Sequence, residues 1–92
     1  MGLPANMGLL SPAEEFIQRW ETGDITETSF GVELRDLRRR LRIRIKELAK
    51  FSELTVATLS NIENSKRPPR IDTVVKLFAG LRSIQKSRRA ES

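Results

Sequence analysis

Apolar residues along this chain return every three or four positions and nowhere settle into one-by-one alternation. That period predicts helices and no strands. Phe16, Ile17 and Trp20 share one face of a first segment. Its start is signalled by Ser11-Pro12-Ala13-Glu14: the serine caps, the proline suits the first helical position, and the glutamate closes a capping box. The segment should stop near Thr22, with Gly23 behind it. After a short polar connector, Asp24 to Thr28, a second helix begins around Ser29. It turns Phe30, Leu34, Leu37 and Leu41 inward and Arg35, Arg39, Arg40 and Arg42 outward. Ile45, Leu48 and Ala49 mark a short third helix. Leu59 and Ile62 mark a fourth, with Thr55 as its N-cap. A last stripe joins Ile71, Val74, Val75, Phe78 and Leu81. Its β-branched residues are modest helix formers, so burial must hold it.

The breaks between these segments carry as much information. No glycine or proline parts the second helix from the third, so Arg42-Ile43-Arg44 must turn the chain unaided. Ser52 to Thr55 links the third to the fourth. Two prolines forbid helix in Asn64 to Arg70 and leave a basic loop. From Arg82 onward the chain reads as a basic tail, with room for one more turn around Ile84. The organisation expected is a flexible N-terminus (1–10), an amphipathic helical arm (11–28), a domain (29–84) and a basic C-terminal tail (85–92). The fold class is all-α. Two short helices joined by a tight turn suggest a helix-turn-helix, whose second helix enters the DNA major groove.

Composition narrows the chemistry. Ninety-two residues make one domain, or one domain with an arm, and four Phe, one Trp and no Tyr leave Leu, Ile and Val to fill most of the core. The chain has no cysteine and no histidine. A disulfide, a thiolate metal site, a zinc finger and histidine acid–base catalysis are thereby excluded. No carboxylate pair, nucleophile–base set or phosphate-cradling glycine loop is visible, so no enzyme and no cofactor are expected. No apolar run approaches the ~18–20 residues of a membrane span. The first ten residues lack the pattern of a secretory signal, and a cytoplasmic protein is expected. Net charge is +5, but it is unevenly spread. From Leu34 to Arg89 sixteen Lys and Arg face five Asp and Glu, a balance of +11, and the remainder carries −6. A basic body with an acidic arm is the footprint of a polyanion binder. The arm's apolar residues, Phe16, Ile17 and Trp20, have three destinations open to them: the domain's own core, a second subunit, or another protein.

The pattern resembles the Cro/lambda-repressor-like helix-turn-helix domains, the xenobiotic-response-element family. The resemblance rests on Leu34-Arg35 and Leu37-Arg38, on Glu47-Leu48-Ala49, and on Thr55 followed by Leu59-Ser60-Asn61-Ile62-Glu63. Lys66-Arg67-Pro68-Pro69 and Val74-Val75-Lys76-Leu77 complete it, so that it spans Phe30 to Ile84 without a gap. It implies a compact bundle of four to five helices, here with an extra N-terminal helix. It also implies a homodimer that binds a palindromic double-stranded DNA operator through the helix after Thr55.

Carried over by position, the base contacts would be Val56, Ala57, Ser60 and Asn61. Val56 and Ala57 suit thymine methyls and Asn61 suits adenine. Phosphate contacts would come from Arg42, Arg44, Thr55, Lys66, Arg67 and Arg70. Arg38 and Glu63 would form a structural ion pair. No arginine stands on the reading helix, so phosphate contacts and DNA shape should carry much of the affinity. Three positions depart from the family pattern. Ile45 replaces a usual glutamine, Arg44 replaces a serine or threonine cap, and Glu53 replaces a turn glycine. A non-glycine in the left-handed region costs about 1–2 kcal/mol, which predicts a turn of another shape at Glu53. The function implied is a transcriptional regulator, an (auto)repressor. The alternative is an antitoxin that docks a toxin through its arm and represses its own operon.

Overall fold

A computed structural model describes residues 10–91 of the chain. The flexible stretch expected at the N-terminus lies, except for Leu10, outside the described residues, as does Ser92. Five helices follow in order: α1 (Pro12–Glu21), α2 (Phe30–Arg40), α3 (Ile45–Phe51), α4 (Val56–Glu63) and α5 (Ile71–Glu91). Among the described residues there is no strand, and the fold is the all-α class expected. No helix among them is long and apolar enough to cross a membrane.

The core is aliphatic with an aromatic cap. Leu34 and Leu37 of α2, Leu48 of α3, Leu59 of α4 and Val74, Leu77, Leu81 and Ile84 of α5 are all buried. Phe30 sits beneath α1, with its ring 5.5 Å from that of Phe16 and 5.2 Å from that of Trp20. Phe16 also meets Phe78 of α5 edge-on at 6.1 Å. Aromatic pairs at these separations add about 0.5–1.5 kcal/mol each beyond area burial. The arm is thus a lid over its own domain. Ile25, in the connector expected to be merely polar, is also core.

The capping box at α1 is only half formed. Ser11 Oγ accepts from Glu14 N–H at 3.2 Å, but the Glu14 carboxylate turns outward to accept from Arg82 of α5 at 2.8 and 3.2 Å. Ser11 Oγ in turn donates to Gln85 at 3.1 Å. The start of α1 is therefore tied to α5 at two points.

The last helix corrects two expectations. Its buried stripe is Val74, Leu77, Leu81 and Ile84, while Ile71 and Val75 are 67% and 59% exposed. The stripe is rotated because Leu77, not Val75, faces the centre. Nor does helix give way to a basic tail near residue 85: α5 runs for 21 residues to Glu91. Ile84 is buried, and Arg88 donates to the carbonyls of Leu41 and Arg42 at 2.6 and 3.2 Å. Those tertiary contacts hold turns whose own composition is polar.

Two glycines allow the helices to cross closely. A Cβ on Gly31 of α2 would overlap the Ile62 carbonyl of α4 and lie 3.1 Å from Ser65 Oγ. A Cβ on Gly80 of α5 would overlap Ser52 Oγ and lie 3.0 Å from the Ser52 nitrogen. Neither glycine carries a turn, and their role is invisible to hydrophobic periodicity.

Candidate nucleic-acid interface

α3 and α4 form the helix-turn-helix, and the turn between them keeps a left-handed residue. Glu53 has φ 57°, so the expected change of turn shape does not occur. The amide of Glu53 donates to Lys50 O at 3.2 Å and that of Leu54 to Ala49 O at 2.9 Å. This is the Schellman arrangement of a helix end. Arg42 after α2 and Ser65 after α4 have φ 57° and 58° and close their helices the same way. Two hydrogen bonds at each end offset the steric cost of a side chain in this region. Arg42-Ile43-Arg44 thus turns without a glycine because Ile43, buried at 3% exposure, anchors the elbow.

α4 presents two faces. Leu59, Ile62 and Glu63 point inward. Val56 is 42% exposed, Ala57 and Asn61 are exposed, and Ser60 is half-buried. Val56 is therefore a surface residue, not core. Asn64 Nδ2 approaches Ser60 Oγ at 3.4 Å, whereas no hydrogen bond engages the Asn61 amide among the described residues. Thr55 Oγ1 accepts from Thr58 N–H at 3.0 Å and donates to Thr58 Oγ1 at 2.8 Å. Its hydroxyl is committed to capping, which leaves it no free proton for a phosphate.

Charge comes from the flanks, since α4 carries no lysine or arginine. Asn61, Arg67 and Arg70 line one groove of about 180 Å³, with Thr58 and Thr73. The structure thereby brings two expected phosphate contacts beside an expected base contact. Lys66 is exposed in the same loop. Arg70 is mostly exposed, with Asp72 at 4.0 Å. Arg42 and Arg44 lie away from that groove, at the elbow between α2 and α3, and both are exposed.

Beneath α4, Arg38 and Glu63 form a two-pronged pair, with Nε to Oε2 at 2.7 Å and Nη2 to Oε1 at 2.9 Å. Their side chains are 14% and 4% exposed. The hydrogen bonds to Glu63 raise the Arg38 pKa further above its ordinary value, and burial opposes them. Arg38 Nη1 also donates to Ile43 O at 3.0 Å. One guanidinium thus links α4 to the elbow.

The arm's apolar residues pack on their own domain. Phe16 and Ile17 are each 3% exposed and Trp20 is packed against the core, all within one chain. The area of Phe16 and Ile17 is thus already removed from water, while Trp20 is only half-buried. Sequence reasoning also missed Arg88. Its partners are backbone carbonyls, which leave no trace in residue spacing.

A family model described as a helix-turn-helix domain matches residues 29–91. The chain is also similar to RghRB of Bacillus subtilis (strain 168), named an uncharacterised HTH-type transcriptional regulator. The two are 44% identical over 54 residues, 58% of this chain and 39% of that protein. The chain thus spans well under half the length of that relative. No solved structure matches it significantly.

Proposed function

The chain belongs to the helix-turn-helix domain family, and from that membership we propose that it is a sequence-specific DNA-binding regulator of transcription. In this reading α4 enters the major groove as the reading helix. The observation that supports it is the exposed, uncharged face of α4 (Val56, Ala57 and Asn61), with Arg67 and Arg70 of the proline loop lining a groove beside Asn61.

The division of labour follows from chemistry. Val56 and Ala57 offer methyl groups to thymine, and the unengaged Asn61 amide suits the donor–acceptor edge of adenine. Arg42, Arg44, Lys66, Arg67 and Arg70 neutralise phosphates and fix the register, carrying no base identity themselves. Two copies on a palindromic operator, one helical turn apart, are the assembly this reading expects. By covering a promoter such a dimer represses.

The test is titration of a duplex taken from upstream of its own gene at rising salt. Each neutralised phosphate contributes a slope of about −0.9 to log affinity against log salt. Five cations predict a slope of about −4 to −5. A flat dependence removes the electrostatic basis of the proposal.

A further inference from the structure

Three successive carbonyls at the α2–α3 elbow are held by two guanidinium groups. Arg88 of α5 donates to Leu41 O at 2.6 Å and to Arg42 O at 3.2 Å. Arg38 of α2 donates to Ile43 O at 3.0 Å. Arg88 Nη2 also lies 3.7 Å from Glu47 of α3. A helix end leaves its last carbonyls without partners. Here the amides of Ile43 and Arg42 satisfy the carbonyls of Arg38 and Arg39, and those of Leu41 and Arg42 fall to Arg88. The backbone they belong to is strained, since Arg42 is a non-glycine at φ 57°. Leu41, Ile43, Ile84 and Arg88 line one cleft of about 260 Å³, so the end of α5 is packed against this elbow.

We propose that Arg88 is a positioning residue for DNA binding, whose planar fork sets the elbow so that Arg42 and Arg44 reach the phosphates together. This rests on the DNA-binding reading above. Arg88 works through the backbone it holds: its two terminal nitrogens face carbonyl oxygens and the Glu47 carboxylate. A lysine keeps the charge but not the fork. The last turns of α5 are thereby part of the frame of the interface, and changes at that end of the chain reach DNA affinity through the elbow.

The test is a double-variant cycle. A duplex is first selected from a random pool with the wild-type chain. Affinities for it are then measured for Arg88→Lys, Arg88→Gln, Arg42→Ala and both combinations, with a thermal melt of each. Loss of charge-assisted hydrogen bonds predicts about tenfold weaker binding for both Arg88 variants. In the Arg42→Ala background that loss shrinks by more than about twofold, because one of the groups being positioned is gone. Should Arg88→Gln not fold, Arg88→Lys carries the cycle. Wild-type affinity in Arg88→Lys, or losses that multiply independently within about twofold, overturns the positioning role. A wild-type chain that selects no duplex at all refutes the DNA-binding reading instead.

Discussion

The α1 edge of this molecule and its α3–α4 edge both carry arginines, and they use them in opposite ways. At the α1 edge Arg19 and Arg82 each have a carboxylate partner. Arg19 reaches Asp24 at 2.6 Å and Glu33 at 3.1 Å. Arg82 reaches Glu14 at 2.8 Å. The hydrogen bonds to Asp24 and then Glu33 raise the Arg19 pKa, and the bond from Arg82 holds the Glu14 carboxyl below its ordinary value. At the other edge, among the described residues, no ion pair or hydrogen bond engages the side chains of Arg42, Arg44, Lys66 or Arg67. A paired surface arginine braces the fold. Unpartnered cations repel one another and disfavour compactness, so they do not brace the fold. Net charge alone, +5, conceals this division.

The largest effect that sharpens the contrast is at the buried Arg38–Glu63 ion pair. Glu63→Gln strands Arg38 in a site where Glu63 is 4% exposed. It should destabilise by about 3–5 kcal/mol, read by chemical denaturation. Arg82→Ala, at an exposed pair, should lose no more than about 1 kcal/mol. Equal losses would mean that depth does not distinguish the pairs. Gly31→Ala comes next. Its methyl group would overlap the Ile62 carbonyl of α4 and should cost about 1–3 kcal/mol. A melt identical to wild type would show that α2 and α4 are not in such close contact.

A smaller effect separates the edges by ligand. Arg67→Ala should reduce the salt slope of DNA binding by about 0.9, the share of one phosphate, while Arg82→Ala leaves it unchanged. The reverse pattern would move the interface to α1. The smallest effect is in acid. Glu14 has a folded pKa below its ordinary value of 4.5. Its contribution is therefore present above that value and fades as pH falls through the lower folded one. Glu14→Gln should flatten the acid limb of the stability curve and leave the limb above pH ~6 unchanged in shape. An unaltered acid limb would show that the Arg82 contact contributes nothing in solution.

The elements were largely legible because their signals are local. Ser11-Pro12 starts α1, Thr55 caps α4, and the apolar periods of α2, α3 and α4 survive into the core. What escaped is tertiary. Phe16, Ile17 and Trp20 read alike as core or contact until Phe30 and Phe78 are placed beside them. The end of α5 reads as tail because Arg88 binds carbonyls of a segment 46 and 47 residues away. Gly31 and Gly80 leave no mark in the apolar period, yet their missing side chains set the crossings of α2 on α4 and α5 on α3. At Glu53 the steric rule was right about cost and wrong about outcome, since two hydrogen bonds of the helix end outweigh it.

Amide NMR spectra of the labelled chain, recorded while a selected duplex is added at low salt, compare the two edges in one titration. Shifts confined to Arg42–Arg44, Thr55–Asn61 and Lys66–Arg70, with Pro12–Glu21 silent apart from global broadening, are the predicted result. Shifts that centre on Phe16 to Thr22 and spare Val56 to Asn61 would contradict the assignment of α4 as the reading helix.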